Sequence, residues 1–372
     1  MSEPLFRDAI ADLVPYEPGK PVEEVQRELG LDRVVKLASN EGQFGPFPRA
    51  LEALARGAHG LNRYPDGGAY RLREALADKH GVESANVAIA AGADGILMYL
   101  SLATLDPGDE IVCGWPSFAS YVLDATKLGA EARRVPLVDD RYDPEAILAE
   151  VGPATKIVYL CNPNNPTGTM IDRAAVDAYF ERVPDHVLTV LDEAYFEYVA
   201  DAGYPDGIEE YLKRGHRVLV LRTFSKIYGL AGLRVGYGVG PADVVQAIAK
   251  VRNAFDINQA AQDAAVASLG DEAEIARRRE ATAAGRAQLV DACSALPVHV
   301  AGPAVANFVF VDVGADTRPL FDRLLREGVI VRPLAAFGAP TAIRVTVGTE
   351  EENEIFAEAF ARVLEPSSQT IA

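Results

Sequence analysis

Cysteine is scarce in this chain: three residues in 372 (Cys113, Cys161, Cys293), with no CxxC spacing. An odd count without paired spacing argues against a disulfide framework or a zinc knuckle and points to a reducing compartment. The five histidines (His59, His80, His186, His216, His299) show neither HxxxH nor HExxH spacing, so no metal centre is expected. Positive charge is in deficit. Lys plus Arg number 36 against 54 Asp plus Glu, a net charge of −18. A surface that acidic repels nucleic acid and anionic lipid, although a local basic pocket can still hold a small anion. No apolar run approaches the ~18 residues of a membrane span, and the acidic N-terminus lacks the basic flank and apolar stretch of a signal peptide. The expectation is a soluble, cytoplasmic protein without nucleic-acid or membrane partners. A GxSxG elbow and a GxxxxGK[ST] loop are both missing. GYGVG (236–240) does not continue into a dinucleotide fingerprint, and its glycines read as a close strand–turn approach.

What is present is a recurring unit. Seven short apolar runs end in small or polar residues: 87–92, 110–116, 132–137, 156–163, 188–194, 218–226 and 234–240. Val, Ile and Leu on both faces mark strands buried beneath helices. Helical patterns lie between them, at 69–80, 94–105 and 173–182, with Gly81 and Pro107–Gly108 as stops. This alternation predicts an α/β fold with a mostly parallel seven-stranded sheet. Beyond about residue 264 the texture changes to a charged helix (about 270–296) and three runs, 306–313, 329–334 and 342–348. That pattern reads as a smaller α+β domain. The expected division is a large domain over 41–263 and a small one formed by 1–40 with 264–372.

Ligands of parallel α/β sheets bind where the strands end, and five features stand there. They are CNPNNPTG (161–168), LDEAYFEY (191–198), TFSKIYGLAGLR (223–234), AAGADG (90–95) and WPSF (115–118). Singly, each has an ordinary reading as a turn, a cap, core or a surface charge. Together they bring a carboxylate, a phenol, an amide, a lysine, two hydroxyls and an arginine to one sheet edge. Pyridoxal phosphate (PLP) is the cofactor that needs this set. Lys226 can link covalently to its aldehyde, and a desolvated lysine beside other cations is nucleophilic. Asp192 can pair with the pyridinium nitrogen. Asn165 and Tyr195 can donate to the ring's phenolate oxygen. Thr223, Ser225 and Arg234, with the N–H groups of Gly92, Ala93 and Asp94 at a helix start, form a phosphate cup. Phe118 can stack on the ring.

The fragments NPNNPTG, LDEAY and TFSKIYGLAGLRVGY resemble those of the fold-type I PLP-dependent aminotransferases. VPYEPGKPVEEVQRELG, VKLASNE, RYPDGGAYRLREALA and VRPLAAFGAPTAIRVTVGTEEEN narrow the resemblance to the histidinol-phosphate aminotransferases over nearly the whole chain. The resemblance implies the PLP-transferase fold of type I and amino transfer between histidinol phosphate and 2-oxoglutarate by a homodimer. It further implies that Tyr64 reaches the cofactor phosphate of the neighbouring subunit and that Arg344 grips the substrate α-carboxylate. By the same resemblance Arg332 and Tyr16 lie near the distal phosphate and Asn40 on the substrate-side loop. The chain departs from the family pattern at Gly42–Phe44, Gly95 and Phe118. These departures, with WPSFASY, keep an aromatic-amino-acid aminotransferase open as the alternative, and after it a phosphothreonine-type decarboxylase. A PLP-binding regulator is disfavoured, because only about 40 residues, acidic on balance, precede the large domain.

Overall fold

The computed structural model describes residues 5–11, 13 and 19–365. All seven expected runs form strands of one sheet, in the order 87–90, 236–239, 218–223, 188–192, 155–161, 110–115, 131–136. Pairing is parallel from 218–223 through to 131–136. Strand Gly236–Val239 runs antiparallel to both of its neighbours. The central strands Leu188–Asp192 and Val218–Thr223 are buried at every residue, which is why they show no polar face in sequence. Helices Tyr70–His80, Ala93–Thr104 and Arg173–Phe180 cover the sheet close to the expected spans. Gly81 ends the first in a left-handed conformation, and the Asp172 side chain caps the last at its N-terminus.

A second core forms around a four-stranded antiparallel sheet, in the order 332–334, 339–346, 308–312, 299–300. Leu289, Cys293, Val309, Val345, Phe356 and Phe360 fill it. The run 329–334 differs from the sequence expectation of one strand. It divides in two: Val329–Ile330 pairs in parallel with Val35–Lys36, while Arg332–Leu334 joins the four-stranded sheet. Each half takes its hydrogen bonds from a different partner, and two residues are too few to show a period in sequence. Val25, Ala38, Leu325 and Ile330 close over the pairing as a small cluster.

Two features tie the cores together. The long helix Glu272–Ser294 puts Ile275 into the larger core and Leu289 and Cys293 into the smaller. A further apolar cluster joins Ala119 to Ala301, Phe310, Leu334, Phe337 and Ala342. Among the described residues no helix is long and apolar enough to cross a membrane, and no group of three or more His, Cys, Asp or Glu could hold a metal ion.

Candidate active site

Four parallel strands end at the same edge of the large sheet, and the segments that follow them line one cleft. Asn165, Asp192, Tyr195, Thr223, Ser225, Lys226, Arg234, Phe118 and the helix start Gly92–Ala93–Asp94 all border it. The second core adds Arg332, Phe337 and Arg344, and the chain before the first helix of the large layer adds Ala38, Ser39 and Asn40. Of the residues expected from sequence, two stand apart. Tyr64 is 82% exposed, stacked on Phe255 at 4.6 Å, and does not line the cleft of its own chain. Tyr16 lies outside the described residues.

Lys226 sits three residues past strand Val218–Thr223 and is half-buried in the cleft wall. Burial, then the Arg344 and Arg234 cations, lower its pKa to about 7 against the opposing pull of Glu41 and Asp192. Its Nζ lies 5.6 Å from the centre of the Tyr195 ring. Asp192, at the end of Leu188–Asp192, accepts a hydrogen bond from the Tyr121 hydroxyl at 2.5 Å and another from the Ala194 N–H at 3.1 Å. Burial nonetheless raises its pKa. Tyr195 accepts from Asn40 Nδ2 at 2.8 Å and packs edge-on against Phe308. Asn40 itself has φ of 53° and is held by Thr346 Oγ1, which accepts its N–H, and by Asn307, which donates to its carbonyl.

Arg344 donates to Asn165 Oδ1 at 2.5 Å and to the Ala38 carbonyl at 2.9 Å. It stands directly across from Arg332 in the antiparallel pair of strands, and the Phe337 ring lies 5.6 Å from one guanidinium and 5.7 Å from the other. Two largely buried guanidinium groups lining one cleft make a receptor for anionic groups.

Helix Ala93–Thr104 starts at Gly92, which has φ of 82° and offers no side-chain cap to the first-turn N–H groups. A Cβ at Gly92 would meet Arg234 Nη2 at 2.7 Å, so the guanidinium reaches directly over this helix start. Thr223 Oγ1 accepts the Ser225 N–H, fixing the turn that presents both hydroxyls. Uncapped N–H groups, a guanidinium and two hydroxyls suit a phosphate. Asp192, a buried carboxylate with no cationic side chain bonded to it among the described residues, suits a protonated ring nitrogen. The residues present therefore fit pyridoxal phosphate, with Lys226 lining the same cleft.

Several contributors escaped the sequence reading. Tyr121, the partner of Asp192, lies three residues after Phe118 on helix Ala119–Leu128, and the two rings meet edge-to-face. That i,i+3 spacing within WPSFASY is the signal that could have found it. Ser120 donates to Asp94 at 2.6 Å. Phe337, Thr346 and Asn307 are brought in by tertiary contacts that no local pattern marks.

This fold and site define a class, and comparison with known proteins gives the same one. Residues 32–360 match the family Aminotransferase class I and II, and the chain belongs to that family. Its relatives include the histidinol-phosphate aminotransferase of Moorella thermoacetica, 47% identical over 97% of this chain and 93% of that one. The enzyme of the same name from Geobacillus thermodenitrificans is 41% identical over 98% and 99% of the two chains. Among solved structures, histidinol-phosphate aminotransferase from Sinorhizobium meliloti, in complex with pyridoxal 5′-phosphate, superposes with a TM-score of 0.87 at 31% identity, covering 96% and 97%. An aspartate aminotransferase mutant from Thermus thermophilus gives 0.84 at 26% identity, covering 96% and 99%.

Proposed function

We propose that the chain is a PLP-dependent aminotransferase that moves the amino group of histidinol phosphate to 2-oxoglutarate, working as a homodimer. The observation that carries the reading is one cleft lined by Lys226, with its pKa lowered to about 7, by the cross-strand pair Arg344–Arg332 and by the helix start at Gly92. When bound, pyridoxal phosphate supplies an aldehyde that captures an amine and a ring that takes up the electrons left at the substrate's Cα.

The chain's own residues do the rest. Lys226 holds the cofactor and, as a free amine near neutral pH, is the base for the Cα proton. Asp192, supported by Tyr121, holds the ring nitrogen protonated. The first turn at Gly92–Asp94, with Thr223, Ser225 and Arg234, grips the phosphate. Asn165 has Oδ1 committed to Arg344, which leaves its Nδ2 to donate to the ring oxygen beside Tyr195. Arg344, with Arg332 across from it, binds the α-carboxylate of 2-oxoglutarate and, in its place, the phosphate of histidinol phosphate, the one anionic group of that substrate. Phe337 and Phe118 wall the cleft with apolar surface. Tyr64, exposed and not part of its own cleft's lining, reaches the site of the partner subunit. The domain division proposed from sequence, 41–263 against 1–40 with 264–372, puts the cofactor contacts on one body and the substrate arginines on the other.

A half-reaction tests this. Histidinol phosphate added to the cofactor-loaded protein should convert the visible absorption band to that of the aminated cofactor, and phenylalanine should not. Lys226→Ala should abolish turnover. A preference for phenylalanine would make the chain an aromatic-amino-acid aminotransferase, and release of carbon dioxide would make it a decarboxylase.

A further inference from the structure

Lys226 is held by more than its own strand. The Gly229 N–H donates to its carbonyl at 3.0 Å, and Leu230 N–H to the Phe224 carbonyl at 3.1 Å, closing a tight turn around it. Phe224 and Tyr228, two residues to either side, pack on each other at 4.9 Å, and Tyr228 meets Phe47 at 5.5 Å. The segment 42–47 presses on the same turn from outside. A Cβ at Gly229 (φ of 70°) would fall 2.5 Å from the Gly45 carbonyl, and one at Gly42 would fall 3.1 Å from that of Lys226.

Into this assembly the long helix Glu272–Ser294 inserts Arg278. Its side chain is 5% exposed. Nη1 donates at 2.9 Å to the carbonyl of Ile227, the residue immediately after the lysine. Nε donates to Glu274 Oε1 at 2.8 Å, and the Arg277 and Arg278 guanidinium groups hold that carboxyl at about 2, well below the usual range. The guanidinium lies 4.3 Å from the Phe47 ring and 5.3 Å from that of Phe44. Flat, with its donors in fixed directions, it fills a slot between rings that an ammonium would not. The next residue does the same for the other catalytic segment. Arg279 Nε donates at 2.6 Å to the carbonyl of Glu197, in the turn Phe196–Tyr198 directly after Tyr195.

We propose that Arg278 is a positioning residue for Lys226: through the Ile227 carbonyl it fixes the lysine turn to a helix that enters both cores. A base that must meet a single Cα–H bond tolerates little displacement, and an error of about 1 Å costs roughly 100-fold. The same displacement changes the lysine's charge environment, because burial and the Arg344 cation set its pKa. Arg278 touches neither cofactor nor substrate. It acts through the residue next to the lysine.

The inference rests on the proposed role of Lys226, and its test separates the two. Apoprotein is mixed with pyridoxal phosphate and the rate of capture is followed spectroscopically from pH 6 to 10, with Lys226→Ala as the blank. Wild-type protein that captures no faster than the blank would refute the role of Lys226 itself. Wild-type capture should rise with pH and level off above about 7, as the amine loses its proton. In Arg278→Met the midpoint should move upward by about one pH unit, toward the ordinary lysine value near 10.4. In turnover, kcat should fall roughly 10- to 100-fold while KM for the amino donor changes less than about threefold, because the anion-binding arginines are untouched. Arg278→Lys keeps the charge but not the planar fork, and should lie between the two. Capture midpoint and kcat unchanged in Arg278→Met would overturn the proposal. So would a KM rise that alone accounts for the loss. If Arg278→Met does not fold, Arg278→Lys decides by the same midpoint and the same split.

Discussion

The site is a small set of side chains whose charges are set by what they are buried against. Asp192 shows this most directly. Burial pushes its carboxyl upward, and the Tyr121 hydroxyl and Ala194 N–H pull it back. Removing the hydroxyl leaves desolvation less opposed, so in Tyr121→Phe the carboxyl titrates at higher pH than in wild type. Because only the carboxylate can pair with a protonated ring nitrogen, cofactor affinity is lost as pH falls through that pKa. The acid limb of binding should therefore shift upward in the variant. Where the carboxyl is mostly protonated in both proteins, affinity should fall about 10-fold for each pH unit of that shift. Titrating apoprotein with pyridoxal phosphate between pH 5 and 8 checks both statements, and equal affinities across that range would refute them. At this scale the sequence is informative where chemistry is local. Lys226, Ser225 and Thr223 share one turn, and their residue types name their roles. Tyr121 and Phe337 are ordinary aromatics until the fold turns them toward Asp192 and Arg344.

Among the elements, glycine decides how closely two backbones can approach. The phosphate cup depends on strand Gly236–Val239 lying against the start of helix Ala93–Thr104. A Cβ at Gly236 would stand 2.3 Å from the Ala93 nitrogen and 2.6 Å from the Gly92 carbonyl carbon, both backbone atoms that cannot swing away. Gly236→Ala must therefore push the helix start off the strand. The expected cost is about 1–3 kcal/mol of stability and a larger loss of cofactor affinity than of stability, since the displaced N–H groups are those that hold the phosphate. Thermal melts with and without pyridoxal phosphate give the two effects separately. A variant that melts lower but keeps the full stabilisation by cofactor would show that the cup does not depend on this approach. The glycines of GYGVG mark the close approach in sequence, and the buried central strands are visible there as short apolar runs. Val35–Lys36, His299–Val300 and the split at 329–334 are not. Two-residue strands are set by the partner's register and carry no pattern of their own.

For the whole molecule, the exposed face around Tyr64 is the feature a single chain leaves unexplained. Tyr64 and Phe255 are 82% and 47% exposed and stack on each other. Large apolar side chains grouped on a surface mark an interaction site, and the proposed homodimer uses this one, with Tyr64 completing the partner's phosphate cup. The proposal has a consequence that stability alone cannot imitate. Lys226→Ala removes the lysine but leaves Tyr64, and Tyr64→Ala removes the tyrosine but leaves the lysine. In a mixed dimer one of the two sites then receives an intact Lys226 from one chain and an intact Tyr64 from the other. Because a two-fold dimer exchanges residues symmetrically, co-refolding equal amounts of the two variants should restore about a quarter of the wild-type sites, from two preparations that are each impaired. If Tyr64 serves its own chain, or serves nothing, every mixed site lacks at least what one parent lacks, and activity stays at the parental average. Measuring turnover before and after co-refolding, with dimer content followed by light scattering, separates the two cases.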